Sequence, residues 1–122
     1  MLDESGSIGS TNYDLAKSFL SHLVGRLDVD SGNTRVAVVT FSSVVRSYFY
    51  LNAYSTVASI QAAILSLTYR GGSTNTAAAL TYAHTTILNR LRGDRSDVAN
   101  VVIVLTDGFS DNAVRTQVRK MH

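Results

Sequence analysis

In the stretch Leu2-Asp3-Glu4-Ser5-Gly6-Ser7-Ile8-Gly9, a carboxylate and two hydroxyls recur at every second residue beside two glycines. Asp3, Ser5 and Ser7 offer three hard oxygen donors, and Gly6 and Gly9 let the backbone curl so that all three face one point. Such oxygens suit Mg2+, Mn2+ or Ca2+ and discriminate against metals that favour thiolate or imidazole. Ser and Gly are also ordinary turn and helix-cap residues, and most short matches to this pattern mean only that. Two later stretches, Gly71-Gly72-Ser73-Thr74-Asn75-Thr76 and Leu105-Thr106-Asp107-Gly108, each place a hydroxyl or carboxylate where a loop is expected, so three loops could share one ion.

Together these segments resemble the von Willebrand factor type A (VWA) domain and its metal ion-dependent adhesion site. In that family the first loop reads Asp-x-Ser-x-Ser, a Thr comes from a Gly-Gly-x-Thr-Asn-Thr segment, and an Asp closes the site in a Thr-Asp-Gly turn. Carried over residue by residue, the resemblance implies metal ligands at Asp3, Ser5, Ser7, Thr74 and Asp107, holding Mg2+ or else Mn2+ or Ca2+. It implies an α/β, three-layer doubly wound (Rossmann-like) fold, with a mostly parallel sheet and one antiparallel edge strand.

The same resemblance implies an adhesion module rather than an enzyme. A cation with only two protein carboxylates stays electrophilic enough to take a third, from an Asp or Glu of a protein ligand such as collagen or another matrix protein. Integrin inserted domains and the matrilin and collagen VI modules are the relatives that imply this use. The form Asp-Glu-Ser-Gly-Ser-Ile-Gly followed by an amphipathic helix is similar to the extracellular matrix branch, which implies an extracellular location. Ala77 departs from the commonest family form, which has Gly there, and adds a methyl without removing a ligand.

Composition bounds the alternatives. A chain of 122 residues, 45% hydrophobic and 16% charged, is one globular domain with a core of its own. The 11 basic and 9 acidic residues are scattered, so no polybasic block points to nucleic acid or anionic lipid. The absence of cysteine removes disulfides, thiol catalysis and zinc-thiolate sites. No apolar run approaches the roughly 20 residues of a membrane span.

The elements that must position the three loops follow from periodicity. A loop aimed from the carboxyl end of a parallel strand needs that strand in front of it, and Leu2 reads as its last residue. The expectation is therefore a single VWA domain over residues 1–122 that lacks most of its first strand and its C-terminal strands and helices. Ser10 or Thr11 is expected to cap a helix, with a capping box at Thr11-Asn12-Tyr13-Asp14 and an inward stripe of Tyr13, Ala16, Phe19, Leu20, Leu23, Val24 and Leu27. Residues 35–42 read as a strand buried on both faces, and residues 44–51 as its antiparallel edge neighbour, because the gap between them is too short for a helical crossover.

Ser55 is expected to cap a short helix with Val57, Ile60, Ile64 and Leu67 inward. A further helix spans about residues 76–91, with Leu80, Ala83, Ile87, Leu88 and Leu91 inward, and on sequence alone Thr74 reads as its cap rather than as a ligand. Residues 98–105 read as a second fully buried strand delivering Asp107, followed by a helix from about Ser110. His22 reads as a polar-face or interfacial helix residue rather than a catalytic one, and His84 falls on a helix with no His or Cys partner at metal spacing.

Rival chemistries fit less well. A Mg2+-dependent phosphoryl-transfer enzyme would use acidic groups at strand ends, but Ser5 stands where aspartate-nucleophile phosphatases carry a second Asp, and no Gly-x-x-x-x-Gly-Lys-Ser/Thr loop exists. A serine hydrolase elbow, Gly-x-Ser-x-Gly, would need Gly in place of Ser5. A structural matrix module with a vestigial metal site remains the alternative to adhesion.

Overall fold

A computed structural model describes residues 1–106. The expected Asp107 ligand and the helix from Ser110 lie outside the described residues. Three strands form one sheet in the order β1 (Leu2–Asp3), β2 (Val38–Phe41), β3 (Val45–Phe49). β1 runs parallel to β2, with Leu2 opposite Thr40 and Asp3 opposite Phe41, whereas β2 and β3 are antiparallel. On its other side Leu2 forms a parallel bridge to Leu105, so β1 has a neighbour along both edges. The sheet is mixed, with β3 as the antiparallel member.

Strand alternation divides the core between the two faces. Leu2, Val38 and Phe49 pack in one cluster with Tyr13, Leu20 and Val24 of α1 (Ser10–Gly25) and Ile60 and Ile64 of α2 (Val57–Leu65). Val39 and Phe41, buried and of opposite parity, face the other way, where α3 (Thr76–Tyr82) packs against β2 and β3. Helices on both faces of a sheet make the three layers of an α/β fold.

Several expectations are corrected. α1 starts at Ser10, and its cap is Gly9 rather than Ser10 or Thr11, with no side-chain cap bond. Gly9 sits at φ +79°, a left-handed conformation that turns the chain directly from the first loop into the helix. Thr11 lies inside the helix, so the capping box is not formed, and Asn12 instead donates its side-chain amide to the Ile8 carbonyl at 3.1 Å. Phe19 and Leu27 are exposed. At about 100° per residue Tyr13, Leu20 and Val24 share an arc of about 40°, and Phe19 lies about 120° away from Tyr13. Leu27 comes after the helix has ended at Gly25.

α2 follows its expected face, with Ile60, Ile64 and Leu67 buried, although its cap is Thr56, whose hydroxyl accepts from the Ser59 N–H, and not Ser55. The long helix expected over residues 76–91 is regular only to Tyr82 and passes into a π-helical turn, Ala83–Ile87. The wider turn shifts the apolar stripe, and Leu88 leaves helical geometry at ψ 63°, so Leu91 ends 86% exposed.

The expected buried strand at residues 98–105 pairs only at Leu105, and Val98, Val101 and Ile103 are exposed. The junction with β1 runs from the Met1 ammonium to the Ile103 carbonyl, from Leu105 N–H to the Met1 carbonyl and from Asp3 N–H to the Leu105 carbonyl. Beyond them a cavity of about 450 Å³, lined by Val36, Val38, Ile64, Val101 and Ile103, separates residues 100–103 from β2. The strand at residues 35–42 is likewise shortened to Val38–Phe41.

Two measurements follow. In denaturant melts Phe41→Ala, which empties a side-chain site of 0% exposure, should destabilise by about 3–5 kcal/mol, whereas Phe19→Ala should stay within about 0.5 kcal/mol. Asn75, not Thr74, caps α3 by accepting from the Ala78 N–H at 3.0 Å. Accordingly Asn75→Ala should lower stability by about 1 kcal/mol, and Thr74→Ala should leave it unchanged within error in the same melts.

Candidate metal centre

Asp3 ends β1 and its side chain is fully buried. One carboxylate oxygen, Oδ1, accepts the Ser5 N–H at 2.8 Å, closing a tight turn on the carboxylate itself. The other, Oδ2, accepts the Thr106 hydroxyl at 2.7 Å. Ser5, 1% exposed, places its Oγ 3.2 Å from the Oγ of Ser7, and Ile8 N–H returns to the Ser5 carbonyl at 3.2 Å. The structure thus brings Asp3, Ser5 and Ser7 together on one loop.

Neighbouring segments brace this loop. Gly6 N–H donates to the Gly72 carbonyl at 2.7 Å, and the Tyr69 hydroxyl donates to the Ser5 carbonyl at 3.0 Å. Gly72, at φ +108°, is packed so closely that an added Cβ would stand 3.2 Å from the Ser42 hydroxyl. Asn75 N–H donates to the Ser42 carbonyl at 2.9 Å, tying the loop before α3 to the turn between β2 and β3. Four segments therefore meet at the carboxyl ends of β1 and β2, the edge where open α/β sheets bind ligands.

Thr74 lies half-buried on the braced loop, two residues past Gly72. With Asn75 as the cap, the competing reading of Thr74 as a helix cap is removed. Among the described residues, Thr74 makes no direct hydrogen bond to Asp3, Ser5 or Ser7. Asp107 lies outside the described residues, one position after Thr106. Thr106 itself was legible only as part of the Thr-Asp-Gly turn, and its bond to Asp3 gives it a place at the site that spacing did not reveal. His22 and His84 are exposed and remote from the loop in sequence.

Glu4 points the opposite way from Asp3 and Ser5. Its side chain is 1% exposed, its Oε1 has no hydrogen-bond partner, and the Arg46 Nε stands 3.7 Å from it. Burial raises its carboxyl above the usual glutamate range, against the pull of Arg46 and Arg70.

The donor set tests well against a hard divalent cation. On the described part of the loop the side-chain donors are the Asp3 carboxylate and the Ser5 and Ser7 hydroxyls. Neutral and anionic oxygens without nitrogen or sulfur fit Mg2+, Mn2+ or Ca2+.

Comparisons with known proteins agree with this geometry. Collagen alpha-5(VI) chain of Mus musculus is 38% identical over 114 residues, covering 93% of this chain and 4% of that protein. Matrilin-1 of Homo sapiens is 34% identical over 120 residues, covering 98% of this chain and 24% of that one. The chain thus spans a quarter or less of these relatives' length. Among solved structures, proximal thread matrix protein 1 from the mussel byssus superposes with a TM-score of 0.91 at 29% identity, over 98% of this chain and 33% of that chain. A second structure of that protein, described as having a zinc-occupied MIDAS motif, superposes with a TM-score of 0.89 at 28% identity, again over 98% and 33%. The family model of the von Willebrand factor type A domain matches residues 1–122, and with the sheet, the flanking helices and the Asp-x-Ser-x-Ser loop in place, the chain belongs to that family.

Proposed function

We propose that this chain is a metal ion-dependent adhesion module of an extracellular matrix protein, a single VWA domain over residues 1–122 without enzymatic activity. The observation that supports the reading is the loop at the carboxyl end of β1, where buried Asp3 accepts the Ser5 N–H and buried Ser5 sets its hydroxyl 3.2 Å from that of the exposed Ser7. Asp3, Ser5, Ser7, Thr74 and Asp107 would hold the ion, Mg2+ foremost and Mn2+ or Ca2+ by the same donor chemistry. A bound ion would supply an electrophilic position for an Asp or Glu carboxylate of a protein ligand.

This chain's own residues prepare that position. The Ser5 N–H and the Thr106 hydroxyl fix both oxygens of Asp3, and the Gly6 to Gly72 bond holds the Thr74 loop beside it. Rigid donors limit how far the site must reorganise when a ligand docks. The matrix relatives support the adhesive reading, and the zinc-occupied motif of the mussel protein supports divalent metal binding.

Titration with Mn2+ alone should show saturable binding that Asp3→Ala reduces at least tenfold, while Ser18→Ala on the exposed side of α1 leaves it unchanged. Retention on immobilised collagen should require Mg2+ or Mn2+ and be lost in chelator and in Asp3→Ala. Retention that survives both would place the adhesive surface elsewhere and leave the loop a structural or vestigial one.

A further inference from the structure

Behind the first loop, on the face of the sheet covered by α1 and α2, lies a small pocket of about 40 Å³ lined by Glu4, Tyr13, Arg46, Tyr48 and Arg70, with Leu67 as its apolar wall. Two of its groups are buried oxygens that make no hydrogen bond: Glu4 Oε1, which has only the longer 3.7 Å ion pair with Arg46 Nε, and the Tyr13 hydroxyl, on side chains 1% and 0% exposed. Buried oxygens that lack a hydrogen bond are rare and costly, so two of them facing one cavity mark a site for something that can donate to one and bond the other.

The charges narrow the occupant. A cation would meet the Arg46 and Arg70 guanidiniums, and an anion would meet the Glu4 carboxylate. A small neutral molecule that both donates and accepts satisfies both oxygens, and water does so. A water needs about 10–15 Å³ of such volume, so the pocket has room for two or three.

We propose that this pocket binds ordered water that bridges the Glu4 carboxylate to the Tyr13 hydroxyl, and that the bridge makes Glu4 a positioning residue for the metal loop. Glu4 lies between Asp3 and Ser5, and its N–H donates to the Phe41 carbonyl at 2.8 Å. Pinned on the helix side, Glu4 acts as the peg that turns Asp3 and Ser5 toward the opposite, metal-facing side. Tyr13 belongs to the first turns of α1 and its ring packs, tilted by 54° at a centroid distance of 5.4 Å, against Tyr69, whose hydroxyl already holds the Ser5 carbonyl. The water thereby joins two independent braces of the same loop. This inference rests on the metal reading above for its functional part and on the pocket alone for its structural part.

The structural part is tested by crystallography of this chain, which should show ordered density within hydrogen-bond distance of both Glu4 Oε1 and the Tyr13 hydroxyl; density absent there overturns the bridge. The functional part is tested by Mn2+ titration. Tyr13→Phe, which removes only the hydroxyl, should weaken Mn2+ binding about tenfold. Tyr48→Phe, in the same pocket but with its hydroxyl within 3.4 Å of the Ser66 hydroxyl, should not change it. Unchanged affinity in Tyr13→Phe, with Asp3→Ala still abolishing binding, overturns the positioning role while leaving the metal reading intact. Loss of Mn2+ dependence in Asp3→Ala failing to appear refutes the metal reading instead. Even then a double-mutant cycle of Glu4→Gln and Tyr13→Phe in urea melts decides the bridge, with a coupling of about threefold or more in the unfolding equilibrium constant supporting it and additivity overturning it.

Discussion

The fully buried carboxylate of Asp3 is the constraint on which the rest of the structure turns. A charge taken out of water is tolerated only when its lone pairs are met by donors, and charge-assisted bonds of this kind are the stronger ones. Here the donors come from opposite ends of the described chain, the Ser5 N–H two residues on and the Thr106 hydroxyl more than a hundred residues away. One side chain therefore shapes its own loop and also holds the segment after Leu105 alongside β1. The ladder between Leu105 and residues Met1 and Asp3 continues the same junction through the backbone.

Close backbone approach makes the junction possible. The Gly6 N–H reaches the Gly72 carbonyl at 2.7 Å, and Gly72 adopts a left-handed conformation against the Ser42 side chain. A side chain at that position would be strained at φ +108° and would crowd the Ser42 hydroxyl at 3.2 Å. Asn75 completes the arrangement by serving both helix and loop, its side chain capping α3 and its N–H binding the Ser42 carbonyl. The small polar residues of this face thus have architectural roles that leave the hydroxyls of Ser5 and Ser7 beside Asp3.

The pleat of β1 separates the two jobs of the first loop. Leu2 and Glu4 share the face that packs under α1 and α2, and Asp3 and Ser5 share the face that carries the donor cluster. Leu2 joins the apolar core, whereas Glu4 enters a small pocket beside Arg46 and Arg70. Burial and the two guanidiniums pull the Glu4 carboxyl in opposite directions, with burial the larger effect. Adjacent residues of a short loop are in this way anchored to one layer while presenting ligands on the other.

The sequence by itself determined the family, the three-layer α/β class and the antiparallel hairpin of β2 and β3. These features rest on local patterns: alternate-residue donors beside glycine, a gap too short for a crossover, and apolar spacing such as Ile60, Ile64 and Leu67, all of which are buried. Tertiary structure decided what local pattern leaves open. Phe19 matched a helical stripe within the spread that three- and four-residue spacing allows, but only the arc touching α2 and the sheet is covered. Residues 98–104 had the composition of a buried strand, yet burial requires a neighbour along the ladder, and the contacts with β1 gather at Ile103 and Leu105 while Val98, Val101 and Ile103 stay exposed. Thr106 at Asp3, Tyr69 at Ser5 and Glu4 in its pocket were invisible for the same reason: each depends on a partner distant in sequence or on the face of the sheet to which the pleat assigns it.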